Sequence, residues 1–321
     1  MYPPLTGVLP VLQMPFTAGG AIDHAVLRTE AQWCLDQGAN GLVIGMVSEV
    51  LRLGDDERAT VTRTLAEVAA PAGRAVVASV GAESTDAACA RARAAADAGA
   101  TALMATPPVV METDEDGLHR YYAALAAATD LPMVVQDASG YVGRPMSIAF
   151  QVGLLSELGD RVSFKPEAHP IGQRVSDLRD ASGGRARILE GTGGIALVDT
   201  YRRGVVGTMP AADVCWAVVA LWHALEAGDT VTADRIHGPL ASMISMQSSL
   251  DAFIAIEKHL LVRQGVLVRA DMREPVGYRL DAETAAESER LADLLATIVA
   301  DIGATASLLA ARAASVETVQ P

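Results

Sequence analysis

The sequence predicts an α/β chain folded as one (β/α)8 TIM barrel with a C-terminal helical extension. Three observations predict it. Short apolar runs recur eight times at the interval that a strand, a helix and two loops occupy, helical periodicity fills the gaps, and after Thr208 only helical periodicity continues. The 321 residues suit such a barrel with a modest extension. Half of them are apolar and only 4% aromatic, so the expected core is built from Ala, Val, Leu and Ile, as in a parallel sheet wrapped by helices.

In chain order, the predicted strands are 7–12, 41–45, 75–79, 101–105, 132–136, 162–165, 186–190 and 204–208, each rich in Val, Ile or Met. Helices are predicted from His24 to Gln37, Asp55 to Ala70, Thr85 to Ala98, Asp116 to Ala128 and Ser147 to Leu158, where apolar residues fall three and four apart. Gly38-Ala39 and Gly99-Ala100 close two of them and turn the chain into the next strand, as a left-handed C-terminal glycine permits. No Gly-x-Gly-x-x-Gly follows the first strand, which favours a closed barrel over an open dinucleotide-binding sheet. Helical stretches at 211–228, 230–265 and 281–313 follow. The barrel is assigned to residues 1–225 and the extension to 226–321, with the tail from Ser315 expected to fray.

A net charge of −14 with no run of Lys or Arg argues against nucleic acid as a partner. Met1-Tyr2-Pro3-Pro4 lacks the basic flank of a signal peptide and no apolar run is long enough to span a bilayer, so a soluble, cytoplasmic protein without a membrane partner is expected. Cys34, Cys89 and Cys215 lie far apart without Cys-x-x-Cys spacing and read as small buried apolar residues.

Reactive groups of such barrels lie where strands end, and Lys165 ends the sixth. The chain has only two lysines, Lys165 and Lys258. Apolar surroundings at a strand end disfavour the ammonium and favour a free amine able to attack a carbonyl, the requirement of a Schiff-base enzyme; the plainer alternative is a rim lysine paired with Glu167. Lys258, beside Glu257 in a helical context, reads as solvated or partly structural.

Gly45-Met46-Val47-Ser48-Glu49 after the second strand, Leu53-Gly54-Asp55-Asp56-Glu57-Arg58 after that, and the Lys165 strand resemble the dihydrodipicolinate synthase and N-acetylneuraminate lyase family over nearly the whole chain. Members hold pyruvate, or a 2-keto acid that gives pyruvate, as an imine on that lysine. The resemblance implies a covalent imine on Lys165, with no cofactor and no metal. It places Gly45, Met46, Val47 and Ser48 in the loop whose backbone N–H groups hold the substrate carboxylate. Gly191 falls on the turn after strand seven, and Val206 on strand eight in the pocket wall. A homo-oligomer, dimer or tetramer, is also implied.

The departures concern the proton relay. Gln136 stands where members carry a tyrosine, and an amide does not pass protons as a phenol does. Met46 and Val47 replace two relay hydroxyls, Val109 or Val110 replaces a further tyrosine, and Tyr141 replaces the arginine that grips the second substrate. Lysine-biosynthetic synthesis is therefore not expected. The catalytic set reads as Lys165, Gln136 and Tyr141, with Asp137, Glu167 and His169 as further groups able to take over the relay. Glu167 and His169 as metal ligands lack an obvious third partner.

The leading expectation is a class I lyase or aldolase acting on pyruvate or a related 2-keto acid, with a relatively apolar second substrate. The alternatives are a non-catalytic barrel that binds a keto acid, and an imine-dependent dehydratase or deaminase.

Overall fold

The computed structural model describes residues 2–317, with side chains as far as residue 303. Eight strands appear where eight were expected: β1 (Gly7–Val8), β2 (Gly41–Ile44), β3 (Ala75–Ser79), β4 (Ala102–Ala105), β5 (Met133–Asp137), β6 (Val162–Pro166), β7 (Leu189–Glu190) and β8 (Gly207–Thr208). β2 to β6 pair in parallel in sequence order, and β1, β8 and β7 form the other arc. Parallel bridges Val11–Val43 and Phe164–Ile188 join the arcs and close the barrel. The first run is shorter than predicted because Pro10 has no N–H to donate, but the ladder continues beyond it through Val11 N–H to Pro210 and Leu12 N–H to Val43.

Helices α1 (His24–Asp36), α2 (Asp55–Ala69), α3 (Thr85–Asp97), α4 (Glu115–Ala128), α5 (Ile148–Leu158), α6 (Ile171–Ala181), α7 (Leu197–Arg202) and α8 (Cys215–Glu226) follow their strands. Side chains of Asp23, Ser84, Asp114 and Ser147 accept N–H groups of the first turns of α1, α3, α4 and α5. Gly38 and Gly99 take φ of 97° and 94°, the left-handed conformation that ends α1 and α3.

The alternation along each strand builds two apolar cores. Val43, Val77, Met104, Val134, Leu189 and Met209 fill the barrel interior, while residues such as Leu42, Val76, Leu103, Val135 and Phe164 meet the helices outside.

Three further helices complete the described chain: α9 (Thr230–Ser245), α10 (Leu250–Arg263) and α11 (Ala282–Glu317). The stretch expected to be helical from 230 to 265 is broken between α9 and α10, where the Ser249 hydroxyl accepts the Ala252 N–H and starts a new helix. The tail expected to fray from Ser315 is helical to Glu317, and residues 318–321 lie outside the described residues. The assigned limit of the barrel falls at the end of α8, yet α10 returns to the barrel mouth and packs on the turn Met46–Ser48. Among the described residues no helix is long and apolar enough to cross a membrane.

Candidate active site

At the C-terminal end of the strands a cavity of about 530 Å3, partly open to solvent, is lined by Gly45, Met46 and Val47 from the second loop, Gln136 from β5, Lys165 from β6, and Gly191 and Met209 beyond β7 and β8. Parallel pairing sets Gln136 beside Lys165. Their inward direction follows from register, since Val162 and Phe164 face the helices and the intervening positions face the interior.

Lys165 is buried and its Nζ lies 2.9 Å from Glu167 Oε1. Gln136 Nε2 donates to Glu167 Oε2 at 2.6 Å, while Gln136 Oε1 is buried without a partner among the described residues. Burial pushes the Glu167 carboxyl up, against the lowering effect of the Lys165 charge and of the hydrogen bonds from Gln136 and Lys165. The two readings of Lys165 therefore merge. It is paired with Glu167, but the pair stands inside the cavity rather than on the rim, and the apolar surroundings expected around the amine are interrupted by a carboxylate. One proton moved from Nζ to Glu167 leaves a free amine beside a neutral acid.

Gly191 makes this arrangement possible. A Cβ at that position would lie 2.6 Å from Lys165 Cε and 2.9 Å from Glu167 Cγ. Gly45 is similarly confined, with Val11 Cγ1 3.0 Å from an added Cβ. The second loop forms a 3-10 turn over Met46–Ser48, in which the Met46 and Val47 N–H groups precede any carbonyl they could bond within the turn. Ser48 does not join the lining: its hydroxyl accepts the Gly45 N–H at 3.1 Å and donates to the Leu12 carbonyl, which fixes the turn. Val206 also stays out of the cavity. It precedes β8 and packs on the interior core, and Met209 and Ala211, at the strand's far end, take the wall instead.

Tyr141 reaches the cavity and packs edge-on against Phe253, ring centres 5.8 Å apart. Burial and the nearby Glu167, Glu190 and Glu257 push its hydroxyl up. Asp137 is committed elsewhere, accepting from Ser139, the Met146 N–H and Arg174. His169 is exposed and borders an adjoining outer chamber with Thr192, Ser245, Gln247, Ser248 and Ser249. Val109 and Val110 line that loop differently from expectation: their N–H groups, with that of Met111, bind the Glu83 carboxylate at 2.9–3.1 Å. Among the described residues no group of three or more His, Cys, Asp or Glu is placed to hold a metal ion.

Sequence reading missed Leu250, Phe253 and Glu257 of α10, which complete the cavity wall. The available signal was the pair Glu257-Lys258 inside an apolar helical stretch. Lys258, read as solvated or structural, is fully buried: its ammonium meets Glu49 Oε1 and the Asp271 carbonyl (2.6 Å) and stands 4.6 Å above the Phe16 ring.

Comparison with known proteins assigns the family. The dihydrodipicolinate synthetase family model matches residues 4–294. The 4-hydroxy-tetrahydrodipicolinate synthase of Thermomicrobium roseum is 32% identical over 253 residues, 76% of this chain and 82% of that protein. An L-2-keto-3-deoxyarabonate dehydratase of Azospirillum brasilense is 27% identical over 91% of this chain and 95% of its own length. The solved 4-hydroxy-tetrahydrodipicolinate synthase of Methylacidiphilum fumariolicum superimposes with a TM-score of 0.84 at 22% identity, covering 94% of this chain and 99% of that one, a likeness of fold. With its barrel, its strand-six lysine and a family match from residue 4 to 294, the chain belongs to the dihydrodipicolinate synthetase family.

Proposed function

We propose that this chain is a lyase that binds pyruvate or a related 2-keto acid as an imine on Lys165, without cofactor or metal. The observation that carries the reading is the buried Lys165–Glu167–Gln136 cluster at the base of a cavity walled by Val11, Met46, Val47, Met104, Met209 and Phe253. The Met46 and Val47 N–H groups receive the substrate carboxylate. Glu167 takes a proton from the Lys165 ammonium; the amine attacks the keto carbon; and the former carbonyl oxygen takes one proton from the attacking nitrogen and one back from Glu167, leaving as water from a protonated imine. Gln136 acts as the positioning group for Glu167, with its free Oε1 available to a substrate hydroxyl.

The apolar inner wall supports a second substrate, or leaving fragment, of low polarity next to the imine. A dehydratase acting through the same imine is the second reading, favoured by the Azospirillum brasilense dehydratase, which aligns along nearly its whole length. In the outer chamber Thr192, Ser245, Gln247, Ser248 and Ser249 stand among Ile171, Ile195, Ile244 and Phe253 and offer partners to the hydroxylated end of such a substrate. Assembly as a homo-oligomer is part of the proposal.

Incubation with pyruvate and borohydride, read by intact mass, tests the imine. One adduct is expected on the wild type and none on Lys165→Ala. Absence of an adduct with pyruvate and with longer 2-keto acids would sink the reading. An adduct without turnover of any hydroxylated keto acid would favour a binding barrel.

A further inference from the structure

Behind the wall that α10 gives to the cavity lies a second buried polar cluster that the chemistry above leaves unused. Glu30 of α1, Asp213 in the turn before α8 and Glu257 of α10 are 0%, 2% and 2% exposed and lie within electrostatic reach of one another. Gln13 joins two of them, giving its backbone N–H to Glu30 Oε1 at 2.7 Å and its side-chain amide to Glu257 Oε2. Glu30 Oε2, both Asp213 carboxyl oxygens and Gln13 Oε1 are buried without a hydrogen-bond partner among the described residues.

The charges facing the cluster do not neutralise it. Lys258 approaches Glu30 from α10, but its ammonium is taken by Glu49 and the Asp271 carbonyl. Cys34 and Cys215 face it from α1 and α8, Tyr141 faces Glu257 from the loop after β5, and Lys165 of β6 is paired with Glu167 just beyond that strand. Three ionised carboxylates there would each cost several kcal/mol in lost hydration, and oxygens that only accept cannot satisfy one another. Carboxylic acid O–H groups can. Burial first, then the neighbouring carboxyls, pushes Glu257 well up, and burial raises Glu30 to about 8 and Asp213 to about 7.

Glu257 is the member of this cluster that lines the cavity. It does so on α10, the helix packed on the turn Met46–Ser48, where Met46 and Val47 bring no side-chain donor. Its Oε2 takes the Gln13 amide, and Oε1 has no partner among the described residues. An ionised carboxylate at that place would repel a keto-acid anion, whereas a neutral acid attracts it. Resting on the keto-acid reading above, we propose that Glu257 is a specificity-determining residue whose carboxylic acid O–H donates to the carboxylate of the bound 2-keto acid, with Glu30 and Asp213 behind it keeping that proton in place.

The half-saturating pyruvate concentration for borohydride trapping, measured from pH 6 to 9, tests this in the wild type, Glu257→Gln and Glu257→Ala. In the wild type it should stay low while Glu257 holds its proton and climb above the pH at which that proton is lost. The Gln variant keeps a donor and should stay flat; the Ala variant should be flat and about tenfold weaker at pH 6. Titration of Glu167 is read separately, from the maximal trapping rate. An Ala variant equal to wild type at pH 6, or a Gln variant as weak as the Ala variant, would overturn the proposal while leaving the imine intact. Propionate, a carboxylate that cannot form an imine, separates the two claims through its effect on melting temperature. A stabilisation at pH 6 that is absent in Glu257→Ala, with no pyruvate adduct at all, would uphold Glu257 and remove the keto-acid lyase reading.

Discussion

Gly191 shows how little freedom the reactive centre has. Placing a methyl group there would set it 2.6 Å from Lys165 Cε and 2.9 Å from Glu167 Cγ, so one of the two side chains must move. Gly191→Ala should therefore cost about 1–3 kcal/mol of stability through overpacking. It should also slow adduct formation about 100-fold by displacing the amine, measured by thermal melting and by the trapping rate. At Glu167 the issue is chemistry instead of space. As a base it must be ionised, and burial holds its carboxyl above the ordinary range. The trapping rate should thus rise with pH through that raised value. Glu167→Gln keeps the volume and the contact with Gln136 but cannot take the Lys165 proton, so trapping should slow about 10²–10⁴-fold and the acid limb should vanish. An unchanged limb in the variant would assign it to another group.

At the scale of elements, the substrate turn is held by its far end. Glu49, directly after Met46–Ser48, has φ of 54°, a left-handed conformation uncommon for a residue with a side chain. Its carboxylate meets Lys258 of α10 and the Arg273 N–H at 2.8 Å, so three separate stretches of chain meet on this one side chain. Breaking the pair by Lys258→Met leaves the buried Glu49 carboxylate with the Arg273 N–H and a longer Arg52 contact of 3.6 Å, and should cost up to about 3–5 kcal/mol. Glu49→Gln combined with Lys258→Met should recover much of that loss, and denaturant melts arranged as a double-mutant cycle measure the difference. Half-saturating pyruvate should rise in Lys258→Met more than the maximal trapping rate falls. The same helix shows where sequence reasoning stops. Adjacent Glu257 and Lys258 inside an apolar helical stretch hint at burial, but no local pattern indicates that α10 is wedged between the barrel mouth and the segment after it. The contact that would have indicated it, Gln13 to Glu257, spans 244 positions.

Across the whole molecule, what was legible is what repeats. Each strand carries apolar residues on both faces because both faces are covered, so all eight stood out; Lys165 was found because it ends a strand in a chain with only two lysines, and Gln136 through the family resemblance. Glu30 and Asp213 sit inside otherwise ordinary helical stretches, and only the fold brings them together with Glu257. Their burial gives the whole chain an unusual response to pH. A carboxyl held up in the folded state keeps its proton after the unfolded chain has released it, so the folded form binds more protons and stability falls as pH rises through that window. For Glu30 the window runs from the ordinary 4.5 to about 8, and for Asp213 from 3.8 to about 7. The melting temperature should accordingly decline between pH 5 and 8. Glu30→Gln retains an oxygen for the Gln13 N–H but has no proton to lose, so it should flatten the decline and leave the variant more stable than wild type above pH 8. Melting curves at half-unit steps from pH 5 to 9 would decide it: a flat or rising wild-type profile, or a variant that follows the wild type throughout, would mean that the buried carboxyls meet compensating donors and do not store protons in the folded state.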